Sequence, residues 1–243
     1  MKILFISLGC DKNLADSEEM LGLLTGSGHE IVDSEEEADA IVINTCCFIH
    51  DAKEESVNTI LEMAEYKKTG SCKALIVTGC MAQRYKEEIT QEIPEVDAVL
   101  GTTSYGDIVK ALNEAQAGNV FQEFRDINEL PEDSGRRVLT TGGHFGYLKI
   151  AEGCDKHCTY CIIPSLRGRF RSVPEERLLA QAEYMASQGV KELILVAQET
   201  TVYGTDLYGK KTLHILLKKL CQIKGIRWIR VLYCYPEEIY DEL

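Results

Sequence analysis

The sequence has no run of 18 consecutive apolar residues, so no membrane-spanning helix is expected. A secretion signal is missing as well. The short apolar stretch Ile3-Leu4-Phe5-Ile6 is followed at once by Gly9, Cys10, Asp11 and Lys12, with neither a longer apolar core nor a small-residue cleavage site. Both absences point to a buried first strand and a cytoplasmic chain. Basic charge is also scarce: 26 Lys and Arg face 39 Asp and Glu, a net charge of −13. The deficit is uneven, with 12 basic against 27 acidic residues in 1–140 and 14 against 12 in 141–243. Such a break suggests two domains. An acidic first part repels nucleic acid and suits a basic protein partner, or it serves solubility alone.

Cysteine, by contrast, is abundant, with ten in 243 residues. A disulfide scaffold would be short, secreted and loop-rich, whereas this chain is long and regularly patterned. Metal or cluster ligation is the better explanation. Apolar content of 45% and charged content of 27% are those of a folded globular protein.

The first 117 residues alternate strand and helix patterns. Buried strands are expected at 3–7, 40–44, 74–78 and 98–100, and helices at 16–24, 51–68, 84–92 and 105–115. Near-continuous apolar strands alternating with helices predict an open parallel sheet covered on both faces. Residues 118–143, with Gly118, Pro131, Gly135, Gly142 and Gly143 among charges, read as a linker. A second alternation follows over 144–243. Its strands fall at 146–150, 192–197 and 228–232, and its helices at 174–188 and 213–223. Three β/α units are the first part of a TIM-type barrel and cannot close one. The chain is therefore expected to be cut inside its second domain.

The sharpest signal is Cys154-Asp155-Lys156-His157-Cys158-Thr159-Tyr160-Cys161, with C-x3-C-x2-C spacing in the loop after a strand. Three thiolates on one loop can hold three irons of a cubane and leave the fourth open. An open iron can chelate the amino and carboxylate groups of S-adenosylmethionine, and Tyr160 suits packing beside its adenine. The alternative is zinc, which in structural sites wants four ligands, usually from paired C-x2-C units. His157 as the fourth would lie between ligands on the same loop and strain the geometry, so it reads as a solvent-side residue. A zinc-bearing, non-catalytic interaction module remains the competing class.

A second constellation is dispersed. Cys10, Cys46 and Cys80 each follow a buried strand of the first domain. The carboxyl ends of the strands share one edge of a parallel sheet, where ligands bind, so three thiolates there could meet on a second cluster. Buried cysteines packed as small hydrophobes are the bland reading. Cys47 reads as a spectator, and Cys72, Cys221 and Cys234 as small apolar residues. Gln198, at the end of the second barrel strand, is a candidate cofactor contact or a loop hydrogen bond. Arg167, Arg169 and Arg171 could meet a carboxylate of cofactor or target, or form a solvated charge run.

These residues resemble the methylthiotransferase family of radical S-adenosylmethionine enzymes. The matching stretches are Ser7-Leu8-Gly9-Cys10-Asp11-Lys12-Asn13 with Asp16-Ser17-Glu18, Asn44-Thr45-Cys46, Thr78-Gly79-Cys80, and Glu152-Gly153-Cys154 through Cys161-Ile162-Ile163-Pro164. Ile163-Pro164-Ser165-Leu166-Arg167-Gly168 and Gln198-Glu199-Thr200-Thr201 with Tyr203-Gly204 are similar to the ribosomal-protein branch. The transfer-RNA branch usually has Gln-Met-Asn after the first cysteine. Asp11 departs from the proline usual in the ribosomal-protein branch, and the family's C-terminal substrate-docking domain is not represented. The resemblance implies two [4Fe-4S] clusters, at Cys154, Cys158 and Cys161 and at Cys10, Cys46 and Cys80, with S-adenosylmethionine contacted by Tyr160 and Gln198. It implies transfer of a methylthio group to the β-carbon of an aspartate in small-subunit ribosomal protein S-twelve. It also implies an electron donor such as flavodoxin or ferredoxin, and nucleic acid only through the ribosome, or transfer-RNA adenosine as the alternative substrate.

Overall fold

The computed structural model describes residues 1–132, 135 and 137–243, and the chain divides into two compact units, Met1–Val138 and Leu139–Leu243. The first unit opens with β1 (Lys2–Ser7), α1 (Asp11–Gly26), β2 (Glu30–Val32), β3 (Ala40–Thr45) and α2 (His50–Thr69). It continues with β4 (Ala74–Gly79), α3 (Cys80–Arg84), α4 (Lys86–Glu92), β5 (Ala98–Leu100), α5 (Ile108–Gln116) and β6 (Phe121–Glu123). The six strands form one sheet in the order β2-β1-β3-β4-β5-β6, and every pairing is parallel. This is the open parallel-sheet α/β class read from the sequence.

Alternate residues of the strands face opposite layers. Ala40, Val42, Ala74, Ile76, Ala98 and Leu100 pack with Met20 and Leu24 of α1 and with Ile108, Ala111 and Leu112 of α5. The other face carries Ile41, Ile43, Leu75 and Val77, all fully buried, with α2 lying on β3 and β4. Burying both faces explains why β3 and β4 read as unbroken apolar runs.

Three details differ from the sequence reading. Helix α1 begins at Asp11, five residues before the expected start, because its first turns bury Lys12, Asn13, Asp16, Glu18 and Glu19 in place of apolar residues. The helix expected at 84–92 is two, α3 and α4, broken at Tyr85. Part of the segment read as a linker, 118–143, is β6, which pairs with β5; Arg137 from the same segment is buried in an ion pair with Glu18 at 2.6 Å.

The second unit holds β7 (Phe145–Lys149), the bridging strands β8 (Ala151–Glu152) and β9 (Arg171–Ser172), and α6 (Ile163–Arg167) between them. Then come α7 (Glu175–Ser187), β10 (Glu192–Val196), α8 (Thr205–Tyr208), α9 (Leu213–Leu220) and β11 (Trp228–Val231). Strands β7, β10 and β11 make a parallel sheet in the order β11-β10-β7. Together with α7 and α9 they form an open (β/α) sheet.

Candidate functional site

Two cysteine constellations lie in separate units. In the first, the register sets Ser7 beside Asn44 and Asn44 beside Thr78, so β1, β3 and β4 end level with one another. Cys46 and Cys80 follow those ends directly and Cys10 comes three residues after β1, on one edge of the sheet, as expected for a ligand site of this sheet type. Asn13, in the first turn of α1 and fully buried, ties the loops together. Its Nδ2 donates to Leu8 O at 3.1 Å and to Thr45 O at 2.9 Å, and its Oδ1 accepts from the Cys80 thiol at 3.8 Å. Asn44 Nδ2 donates to Asn13 O and to Ser17 Oγ, both at 2.9 Å. Ser56 of α2 clamps the Cys46 backbone from both sides: its Oγ accepts from Cys46 N at 3.0 Å and donates to Cys46 O at 2.8 Å.

The backbone approach is close enough to exclude side chains. A Cβ on Gly9 would lie 2.6 Å from Cys46 Cβ, and one on Gly79 would lie 2.5 Å from Thr45 O. Both glycines sit at positive φ, +91° and +92°, where other residues are disfavoured. Cys46 and Cys80 are buried and Cys10 half-buried. Cys47, read as a spectator, is buried beside them and donates to Cys80 O at 3.2 Å; burial pushes its thiol up, against the opposing charge of Arg84.

In the second unit, Cys154, Cys158 and Cys161 are all half-buried on the irregular loop between β8 and α6. Gly153, at φ +73°, lies against the carbonyls of Gly168 and Arg169, where any Cβ would clash. Lys156 N donates to Cys154 Sγ at 3.4 Å, Cys154 N to Gly168 O at 3.1 Å, and Cys161 N to Cys158 O at 2.9 Å. Burial pushes the Cys154 thiol up. Cluster binding releases thiol protons, so this shift opposes ligation at low pH. His157 is exposed, as read from the sequence. Among the described residues no three His, Cys, Asp or Glu side chains converge as the ligands of one ion do. A cubane instead distributes its thiolates over separate irons.

Below the loop, Glu152 is buried with Lys149 and Arg167, the latter at 3.3 Å. Burial would raise its carboxyl, but the two cations outweigh it and hold it down at about 2. Arg167 is thus buried in a pair with Glu152, while Arg169 is exposed and Arg171 half-buried. Tyr160 is 82% exposed. Gln198, just past β10, has Oε1 buried without a hydrogen-bond partner. Its neighbour Glu199 is buried too. One of its oxygens accepts from Thr201 N at 2.9 Å and from the Thr201 hydroxyl, and the other has no partner. Two buried acceptors left open at one strand end suit a ligand that brings donors. S-adenosylmethionine carries an ammonium and two ribose hydroxyls.

The sequence reading missed Asn13, Asn44, Ser56 and Glu199 as site residues. The first two stand inside the quoted motifs and the last adjoins Gln198, so position relative to the cysteines was the available signal; nothing local marks Ser56.

Residues 2–101 match the model of the family described as UPF0004, and residues 148–243 match the radical SAM superfamily. The whole chain is 67% identical to the ribosomal protein uS12 methylthiotransferase RimO of Lachnoclostridium phytofermentans, covering 55% of it. It is 54% identical to the protein of that name from Clostridium botulinum, covering 54%. The chain therefore spans about half the length of the curated relatives it matches. Among solved structures, the radical methyltransferase TsrM of Kitasatospora setae aligns with a TM-score of 0.57 at 12% identity over 90% of this chain and 50% of that one. The cobalamin-dependent radical enzyme OxsB aligns at 0.53 and 16%, over 93% of this chain and 38% of that one. At such identities the likeness is one of fold.

Proposed function

We propose that the chain belongs to the methylthiotransferase family of radical S-adenosylmethionine enzymes and carries both cluster sites of an enzyme that methylthiolates an aspartate β-carbon of ribosomal protein S-twelve. Membership in the radical superfamily implies S-adenosylmethionine and one [4Fe-4S] cluster. Cys154, Cys158 and Cys161 would hold that cluster. Cys10, Cys46 and Cys80 would hold the second.

The observation that carries the two-cluster reading is Asn13, whose side chain bonds the loops bearing Cys10 and Cys46 and the thiol of Cys80 at once. When bound, the clusters and S-adenosylmethionine supply the radical and sulfur chemistry. The chain's own residues orient them. Gln198 and Glu199 would accept hydrogen bonds from the cofactor, and Tyr160 would lie on its adenine. The close backbone packing at Gly153, against the carbonyls of Gly168 and Arg169, sets the path of the chain into the loop. The acidic first unit would attract a basic ribosomal protein. A flavodoxin- or ferredoxin-type donor would deliver the electron, in the cytoplasm where ribosomes are found.

The test is iron and sulfide content after anaerobic reconstitution. About eight of each per chain is expected from two four-iron clusters. About four would remove the role of Cys10, Cys46 and Cys80, and zinc without iron would overturn the enzyme reading. Mass spectrometry of ribosomal protein and transfer RNA treated separately decides the substrate, and a methylthio mass on RNA alone would overturn the protein substrate.

A further inference from the structure

The segment after β11 is held in an unusual conformation over the radical loop. Tyr233 adopts φ +58°, the one positive φ outside glycine among the described residues. Such a backbone persists only where its surroundings hold it. Here the fully buried Thr200, next to Glu199, supplies the hold. Its Oγ1 donates to Leu232 O at 2.8 Å and its N donates to Tyr233 O at 3.1 Å. The turn delivers Tyr235, whose hydroxyl lies 3.7 Å from Cys158 Sγ.

Tyr235 is also fixed from its other side. Lys156, between Cys154 and Cys158 in the sequence, places Nζ 4.4 Å from the centre of the Tyr235 ring. The same Nζ is 2.7 Å from Glu238 Oε1, and Lys211 Nζ is 2.8 Å from Glu238 Oε2. Glu238 thus joins the cluster loop to Lys211, two residues before α9. None of these contacts is needed to ligate iron, and all of them locate one hydroxyl beside one sulfur.

We propose that Tyr235 is a positioning residue for the radical-loop cluster, its hydroxyl donating a hydrogen bond to the Cys158 thiolate and easing one-electron reduction of the cluster. A ligating thiolate carries no proton, so the hydroxyl is the donor. Hydrogen bonds to cluster sulfurs are among the determinants of cluster potential. They favour the more negative, reduced form, since donation to an anion strengthens as its charge grows. The step assisted is the gain of one electron from a flavodoxin- or ferredoxin-class donor, with no bond made or broken.

The inference rests on the assignment of Cys154, Cys158 and Cys161 as ligands, and the experiment separates the two. Full-chain protein is reconstituted anaerobically, and the radical-loop cluster is identified as the electron paramagnetic signal that changes when S-adenosylmethionine is added. Tyr235→Phe keeps the ring and its contact with Lys156 and removes only the hydroxyl. Wild-type iron content with a midpoint potential more negative than wild type is expected. An unchanged potential in Tyr235→Phe overturns the inference and leaves the ligand assignment standing. Loss of iron in that variant also overturns it, because a tuning bond is not required for assembly. Failure of the wild-type protein to show any signal responsive to S-adenosylmethionine overturns the ligand assignment and the inference together.

Discussion

Asn13 ties the first site together, because one side chain bonds Leu8 O, Thr45 O and the Cys80 thiol. Asn13→Ala leaves Leu8 O, Thr45 O and the Cys80 thiol without this partner. The expected cost is roughly 1–3 kcal/mol for each buried group left unsatisfied. Chemical denaturation should show a lower midpoint, and iron after reconstitution should fall by about half, with S-adenosylmethionine cleavage retained. The opposite pattern is expected at Cys158, where replacement by alanine should abolish cleavage; normal cleavage would refute the radical-loop assignment. Cys46→Ala should spare cleavage and stop methylthio transfer, read by mass spectrometry of the product. Glu152 gives a pH dependence whose sign follows from its depressed carboxyl. The ion pairs with Lys149 and Arg167 contribute stability above the ordinary carboxylate range, and that stability is lost as pH falls toward about 2. Glu238, held near 2 by hydrogen bonds from Lys156 and Lys211, adds in the same direction. Far-ultraviolet circular dichroism followed through an acid titration checks this loss.

At the scale of elements, α1 does two jobs with its two ends. Its first turn carries Asn13 into the cysteine site, and its last turns bury Met20 and Leu24 against β1, β3 and β4. Leu24→Ala should cost about 2–5 kcal/mol by leaving a cavity in the core. Because Leu24 is three turns from Asn13 along the helix, iron bound per folded molecule should stay at the wild-type level. A fall in both would mean that the helix cannot transmit its own position independently of core packing. The early start of α1 was hidden from the sequence by the same feature that makes it useful: its first turns bury polar residues, which erase the apolar periodicity. Strands β2 and β6 escaped notice because each has three residues at a sheet edge and neither is fully buried.

At the scale of the whole molecule, the charge asymmetry is the property with a measurable consequence. Residues 1–140 carry 27 acidic and 12 basic side chains. Association with the basic ribosomal protein proposed as substrate should therefore weaken as ionic strength rises from about 0.01 to 0.15 M, over which the screening length falls from about 30 to 8 Å. Salt-independent binding, measured by titration calorimetry at several salt concentrations, would remove electrostatics from the account of the partner. Among the described residues no helix is long and apolar enough to cross a membrane, in keeping with the absence of such a run in the sequence.

By itself the sequence determined the alternation of strands and helices, the place of each buried strand of the first sheet except its short edges, and the two sets of three cysteines. These are local signals: apolar runs, glycine stops and the C-x3-C-x2-C spacing all lie within a few residues. The tertiary structure alone decided that β1, β3 and β4 end level, that Asn13 reaches across their loops, and that Arg167 pairs with Glu152. It alone placed Tyr235 beside Cys158, 77 positions apart in the chain. No periodicity can encode such pairings. They depend on strand register and on the path of the chain between strands, which exist only once the sheet has formed.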